Sequence, residues 1–297
     1  MSADPAARSG EGSRLAGGYH EGEVEVVLSV DEVARQAEAL RSRIPEERLL
    51  ALAGGEPFLS VRGLRAGYGN MEILRDFTLH VGRGQSVCLI GPNGAGKSTV
   101  LHSVFGFTRI FAGEIVVGSG ASRRDVTRTT PEHKLQEARV AYILQDKSVF
   151  PDMTVEENLL MGGFLLHSKA RAKAAAERVF DKYDRLAARR RHPARVLSGG
   201  ERRLLEISRA LVMEPDVLLV DEPSIGLEPR FIDMVFEILR HLQRDEGKTI
   251  LMVEQNAKKG LEFADLGYVL VSGEVARAGS GEELLRDPDV GRLFLGG

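Results

Sequence analysis

A chain of 297 residues, 43% of them hydrophobic, can bury one large core or two modest ones. Its formal net charge of −3 gives no global electrostatic case for nucleic acid or an acidic lipid surface, so only local basic patches remain to be weighed. The one cysteine, Cys88, excludes an intrachain disulfide and reads as a small buried hydrophobe, which fits a reducing cytoplasm.

Residues 1 to about 23 are rich in Gly, Ala, Ser and charge and predict a flexible tail without the apolar core of a secretory leader. Val24, Val26, Val27 and Leu28 predict a short strand, and Val33, Ala37, Leu40 and Ile44 recur at helical spacing. Pro45 stops that helix, and residues 49–52 begin another turn. Residues 1–55 therefore read as an N-terminal extension, a tail followed by a helical appendage packed on the main domain or on a sister subunit. A regulatory role is the alternative. Ala53-Gly54-Gly55 forms the linker to residues 56–297.

From residue 57 the chain alternates strands and helices. Strands are predicted over 57–64, 73–81, 114–117, 140–144, 217–220, 249–253 and 268–271, and helices over 154–161, 169–183, 200–213, 231–244 and 257–263. Antiparallel-looking strands first, then a parallel α/β core with a helix-rich insertion from about 151, make a mixed α/β architecture. No internal repeat or heptad run is present, which excludes a second nucleotide cassette or a coiled-coil arm within the chain. No stretch reaches the ~20 apolar residues needed to cross a bilayer, so any membrane role requires other chains.

Three segments carry chemistry. Gly91-Pro92-Asn93-Gly94-Ala95-Gly96-Lys97-Ser98-Thr99 follows the apolar run 87–90 and precedes a helical pattern, the setting of a phosphate-binding loop. Its glycines let backbone N–H groups converge on a polyphosphate, Lys97 reaches the outer phosphates and Ser98 holds Mg²⁺. Residues 217–220 form an apolar strand that delivers Asp221 and Glu222 to its carboxyl end, Asp221 to orient Mg²⁺ and Glu222 to position or polarise a water. The bland reading of those acids is a solvated strand end before Pro223, and the phosphate loop argues against it. In the third segment, Ser198, Gly199, Gly200 and Glu201 begin a helix, and a serine hydroxyl with exposed N–H groups makes a second anion site.

Together these segments resemble the nucleotide-binding subunit of an ATP-binding cassette (ABC) transporter, from about residue 57 to the C-terminus. The resemblance implies a P-loop NTPase of the ABC ATPase type: a parallel-sheet core, an antiparallel β subdomain and a helical subdomain over about 151–213. It also implies ATP and Mg²⁺ as cofactors. Leu197-Ser198-Gly199-Gly200-Glu201 matches the family's signature motif, which closes over the γ-phosphate held by the opposite subunit of a dimer. Tyr68, by itself a turn tyrosine, matches the position that stacks on adenine. Gln145 matches the glutamine that ligates or approaches Mg²⁺ and senses the γ-phosphate. Residues 224–229 match the loop that touches the partner, with Glu228 replacing the common aspartate.

The main departure is Gln255, which stands where most of these ATPases place a γ-phosphate histidine. A glutamine donates and accepts hydrogen bonds but does not titrate, so catalysis is expected to rest on Glu222 and Lys97, with Gln255 positioning water or phosphate. None of the seven histidines is assigned a catalytic role. The run Val253-Glu254-Gln255-Asn256 resembles the subunits of branched-chain (hydrophobic) amino-acid importers and their amide and urea relatives. Residues 150–159, the Met161-Gly162-Gly163-Phe164 segment and the terminal Leu295-Gly296-Gly297 agree with that group, whereas residues 144–148 depart from it. By resemblance the surface around 150–160 receives a membrane subunit; plain core of the helical subdomain is the other reading. The basic groups Arg189-Arg190-Arg191-His192 and Arg123, Arg124 and Arg128 read as solvated surface or as a partner contact.

The expected protein is thus an ATPase on the cytoplasmic face of a membrane, energising an importer. Its expected partners are a second cassette (identical or related), permease subunits and, indirectly, a solute-binding protein. No nucleic-acid partner is expected. The competing class is a soluble ATPase acting on nucleic acid, the ribosome or a protein assembly.

Overall fold

The structure, a computed structural model, describes residues 35–39, 44–145 and 148–295. The strand expected at residues 24–28 lies outside them. Six strands form one sheet in the order β10 (Glu274–Ser280), β9 (Leu266–Val271), β3 (Ser86–Ile90), β8 (Thr249–Val253), β7 (Val217–Asp221), β6 (Val140–Ile143), parallel except for the β9–β10 pair. The alternation of side chains along each strand divides the core into two layers. Val87 and Leu89 face an antiparallel sheet and the helix Lys97–Phe105, while Cys88 and Ile90 face Val235, Phe236, Leu239 and Leu242 of the helix Pro229–Arg244. Cys88 is fully buried, and burial pushes its thiol pKa up, as expected of an inert hydrophobe.

The second sheet is antiparallel, β2 (Met71–Val81), β1 (Leu59–Tyr68), β4 (Arg109–Val117) and β5 (Arg124–Asp125). Strands β1 and β4 outrun the segments expected from apolar content. A bulge explains the extension: Gly113, at φ 96°, lies where a Cβ would sit 2.6 Å from the Gly63 carbonyl oxygen. Strand β5 falls in a segment read as loop. Strand β10 was not expected because Glu274–Ser280 has few β-branched residues; it is held by a tight turn in which Ser272 (φ 51°) and Gly273 (φ 84°) are both left-handed.

The N-terminal segment packs on this body. Pro45 caps the start of the helix Glu46–Leu52, which therefore begins earlier than residues 49–52, and Leu49 and Ala37 are buried in the two core layers. A third apolar cluster, Val155, Leu159, Val179, Phe180, Leu204 and Leu205 among its members, unites the helices Val155–Gly162, Lys169–Lys182 and Gly199–Leu211. The run at 150–158 has a local mechanical basis. Thr154 and Glu157 form a capping box, and fully buried Asn158 donates to the carbonyls of Phe150, Met153 and Thr154, which fixes Phe150 at the surface. Val155 and Leu159 are core of the helical subdomain, whereas Phe150, and beyond this stretch Met161 and Phe164, are exposed. Two short helices, Gly281–Arg286 and Pro288–Phe294, close the described chain.

The helix that leaves the phosphate loop is anchored at its far end. Lys134 is fully buried, and its Nζ donates to the carbonyls of Val104 (2.8 Å) and Ser103 (3.4 Å) in the last turn of Lys97–Phe105. Burial pushes its pKa down from the usual 10.5 to about 8. Between those values the unfolded chain binds the proton more tightly than the folded one, so this residue's contribution to stability rises with pH across that window. Relative to Lys134→Met, the wild-type chain is expected to gain on the order of 2 kcal/mol between pH 8 and about pH 10 in urea unfolding. Parallel stability curves for the two proteins would contradict this account.

Candidate functional site

Parallel order places the carboxyl ends of β3, β8, β7 and β6 side by side, and each strand delivers one part of the site. Strand β3 runs into the phosphate loop. Gly91 (φ 145°) passes so close to β9 that a Cβ would lie 2.1 Å from the Leu270 carbonyl oxygen, which leaves glycine as the residue that fits. Gly96 (φ 99°) is the N-cap of Lys97–Phe105 and supplies no side-chain acceptor, so the first-turn N–H groups remain for an anion. Lys97 is only 9% exposed, and its Nζ donates to the carbonyls of Gly91 (2.9 Å) and Pro92 (3.0 Å). Burial lowers its pKa, with Glu222 and Asp221 opposing the shift.

Strand β7 delivers the acids. Asp221 accepts from Ser98 Oγ at 3.1 Å and from the Tyr142 hydroxyl at 2.7 Å, so the hydroxyl after Lys97 and the carboxylate of β7 are already adjacent. A hydroxyl and a carboxylate are hard oxygen donors of the kind Mg²⁺ takes beside phosphate and water. Glu222 has a left-handed backbone (φ 43°), its N–H donates to the Val253 carbonyl at 2.8 Å, and its carboxylate accepts from Gln145 Nε2 at 2.9 Å. Burial pushes the Glu222 pKa up, and the charge of Asp221 adds to that, while Lys97 opposes it. Gln145, at the end of β6, thus joins the acids. Gln255 is exposed just beyond β8, between Glu254 and Asn256.

Ser198 caps the helix Gly199–Leu211 in a reciprocal box: its N–H donates to Glu201 Oε2 at 2.9 Å, and its Oγ accepts from the Glu201 N–H at 3.3 Å. Among the described residues, the side-chain hydrogen bonds of Ser198 and Glu201 stay within this helix start and with Arg189. Tyr68 is 41% exposed at the end of β1, and its hydroxyl lies 2.5 Å from His102 Nδ1.

A family model described as ABC transporter matches residues 74–225. The chain is 39% identical over 236 residues to BraG of Pseudomonas aeruginosa, a high-affinity branched-chain amino acid transport ATP-binding protein, covering 77% of this chain and 96% of that one. The chain belongs to the ABC transporter family. This ABC protein is an ATP-binding subunit that hydrolyses ATP. It is also 31% identical to the lipopolysaccharide export system ATP-binding protein LptB of Escherichia coli, with 80% of this chain and 97% of LptB covered. An ATP-binding cassette solved in its ADP conformation superposes with a TM-score of 0.69 at 28% identity, covering 82% of this chain and 99% of that one.

Sequence reasoning missed several residues of this ABC site. Tyr142 holds the second oxygen of Asp221, and His102 links the rings of Tyr68, Phe107 and Tyr142 at centroid distances of 5.8 to 6.1 Å. An aromatic inside a short strand and a histidine at the sixth position of a helix carry no signal until folding joins them. The basic run proves to be structural at two positions: Arg190 pairs with Glu156 and Glu177, and Arg189 with Glu201. Among the described residues no helix is long and apolar enough to cross a membrane.

Proposed function

We propose that this ABC ATPase energises a membrane importer of branched-chain amino acids or related amides or urea, working as a dimer docked on permease subunits at the cytoplasmic face. The observation that carries the hydrolytic part is the convergence of Lys97, Ser98, Asp221, Glu222 and Gln145 on one edge of the sheet. Residues 91–99 cradle the phosphates of ATP with backbone N–H groups, and Lys97 swings from the loop carbonyls to the outer phosphate oxygens. Ser98, Asp221 and Gln145 would hold Mg²⁺, which when bound neutralises charge on the phosphate oxygens. Glu222 orients and deprotonates the attacking water, Gln145 orients Glu222, and Gln255 contacts the γ-phosphate without exchanging a proton. Tyr68 stacks on adenine. The self-contained capping of Ser198 supports the reading that Ser198–Gly200 and Glu201 serve the partner's ATP.

The solute class rests on the run 253–256, on residues 150–159 and on the higher identity to BraG than to LptB. Reconstituted with its permeases, the complex is expected to hydrolyse ATP several-fold faster when a binding protein loaded with leucine, an amide or urea is added. Stimulation by lipopolysaccharide and by none of those solutes would replace the import reading with an export one.

A further inference from the structure

Glu254 has no part in the mechanism above, yet it is 1% exposed and lies one residue beyond β8, beside Glu222. Its Oε1 accepts from Ser224 Oγ at 2.7 Å and from the Asn256 N–H at 2.8 Å, and its Oε2 accepts from the Ser224 N–H at 3.3 Å. Among the described residues it forms no ion pair. A buried carboxylate without a cation is costly unless its oxygens are filled by donors. All three donors come from two segments. Ser224 stands two residues after Glu222, and Asn256 follows Gln255 and caps the helix Ala257–Phe263. A single carboxylate therefore ties the chain leaving Glu222 to the chain carrying Gln255. Glu222 needs such a restraint, because its backbone sits in a left-handed conformation (φ 43°) that a non-glycine residue adopts only at a cost.

We infer that Glu254 is a positioning residue for hydrolysis: its carboxylate locks the two loops that present Glu222 and Gln255, and so sets where the attacking water is held. The inference rests on the reading that Glu222 orients that water. Glu254 is too buried to meet substrate, so it acts through its neighbours. Three properties follow. Removing the carboxylate displaces Glu222 by a fraction of an ångström to an ångström, which lowers kcat and leaves ATP binding to the phosphate loop intact. Glutamine, which keeps one oxygen where Oε1 accepts two bonds, preserves most of the lock. Loss of Ser224 Oγ removes one of its three bonds, the shortest.

The test uses the purified full-length chain with ATP and Mg²⁺, measuring kcat, KM and equilibrium ATP affinity for Glu254→Ala, Glu254→Gln and Ser224→Ala, alone and combined with Glu222→Gln. Glu254→Ala is expected to lower kcat by about 10²-fold with ATP affinity within about twofold of wild type, and Glu254→Gln to recover to within about 10-fold of wild type. Ser224→Ala, which leaves the buried acid in place, is expected to lower kcat by about 10-fold and keeps the proposal testable if the alanine variant does not fold. In the Glu222→Gln background the further loss from either change is expected to vanish, since both act through the same side chain. Wild-type kcat in Ser224→Ala, a parallel loss of ATP affinity, or Glu254→Gln as inactive as Glu254→Ala overturns the proposal. Loss in Glu222→Gln with wild-type kcat in Glu254→Ala overturns it alone; wild-type kcat in Glu222→Gln removes the underlying reading as well.

Discussion

Glu222→Gln is expected to lower ATP turnover by about 10²- to 10⁴-fold while leaving ATP bound and the dimer closed. The two side chains are nearly isosteric, and Gln145 Nε2, which donates to Glu222 Oε2 at 2.9 Å, can still donate to the amide oxygen of a glutamine. The loss is therefore chemical and leaves the architecture in place. Glutamine cannot accept the proton that the attacking water must release. Removing the charge also relieves repulsion between this edge, where Asp221 lies adjacent, and the triphosphate, so ATP is expected to bind at least as well. With Gln255 standing where a titratable histidine is usual, no other group beside the water takes over. Single-turnover hydrolysis with radiolabelled ATP measures the chemical step, and size-exclusion chromatography in ATP measures the dimer. A Glu222→Gln protein that turns over ATP at the wild-type rate would falsify the assignment of Glu222 as the base.

What the sequence disclosed of this site depended on contiguity. The phosphate loop is nine consecutive residues with a glycine pattern fixed by sterics, and Asp221 and Glu222 end a strand apolar enough to be recognised as buried; both were legible because one segment carries the whole physical reason. Tyr142 was not legible, since its value comes from the register that sets β6 beside β7 and brings its hydroxyl to Asp221. Glu254 was visible only as part of a motif. Its three donors became apparent when β8 and β7 were seen paired with Asp221 opposite Val253. The same distinction runs through the fold. The helices 169–183 and 257–263 were placed to within a residue because their apolar faces repeat locally, whereas β10 is a strand by virtue of its turn and of its partner β9. Likewise Arg190 read as a free basic run until folding brought Glu156 and Glu177 to it.

Gly200→Ala is expected to cut hydrolysis by about 10²-fold without weakening ATP binding to the chain's own phosphate loop. Gly200 is buried at the second position of the helix Gly199–Leu211, and a Cβ there would stand 2.2 Å from Phe231 Cδ1 and 2.7 Å from Cε1. Phe231 lies near the start of the helix Pro229–Arg244, directly after the loop that leaves Glu222. Two effects oppose each other in the variant. Alanine favours a helix over glycine by roughly 1 kcal/mol, whereas overpacking a closed contact costs typically 1–3 kcal/mol. Because 2.2 Å is far inside van der Waals contact and the atom is in the body of the ring, the steric term wins and the helix start must move away from Phe231. That shift would carry Ser198 and the exposed N–H groups away from the partner's γ-phosphate. At Gly199 the nearest atom to such a Cβ is Leu227 Cδ2 at 3.7 Å, so Gly199→Ala is expected to leave stability unchanged or slightly raised. The decisive arm is the pair Gly200→Ala with Phe231→Ala: with the ring gone the displaced helix start can return, and part of the lost rate with it. Full activity in Gly200→Ala, or a loss that Phe231→Ala does not relieve, would show that the contact between these two helices does not set the position of the signature segment.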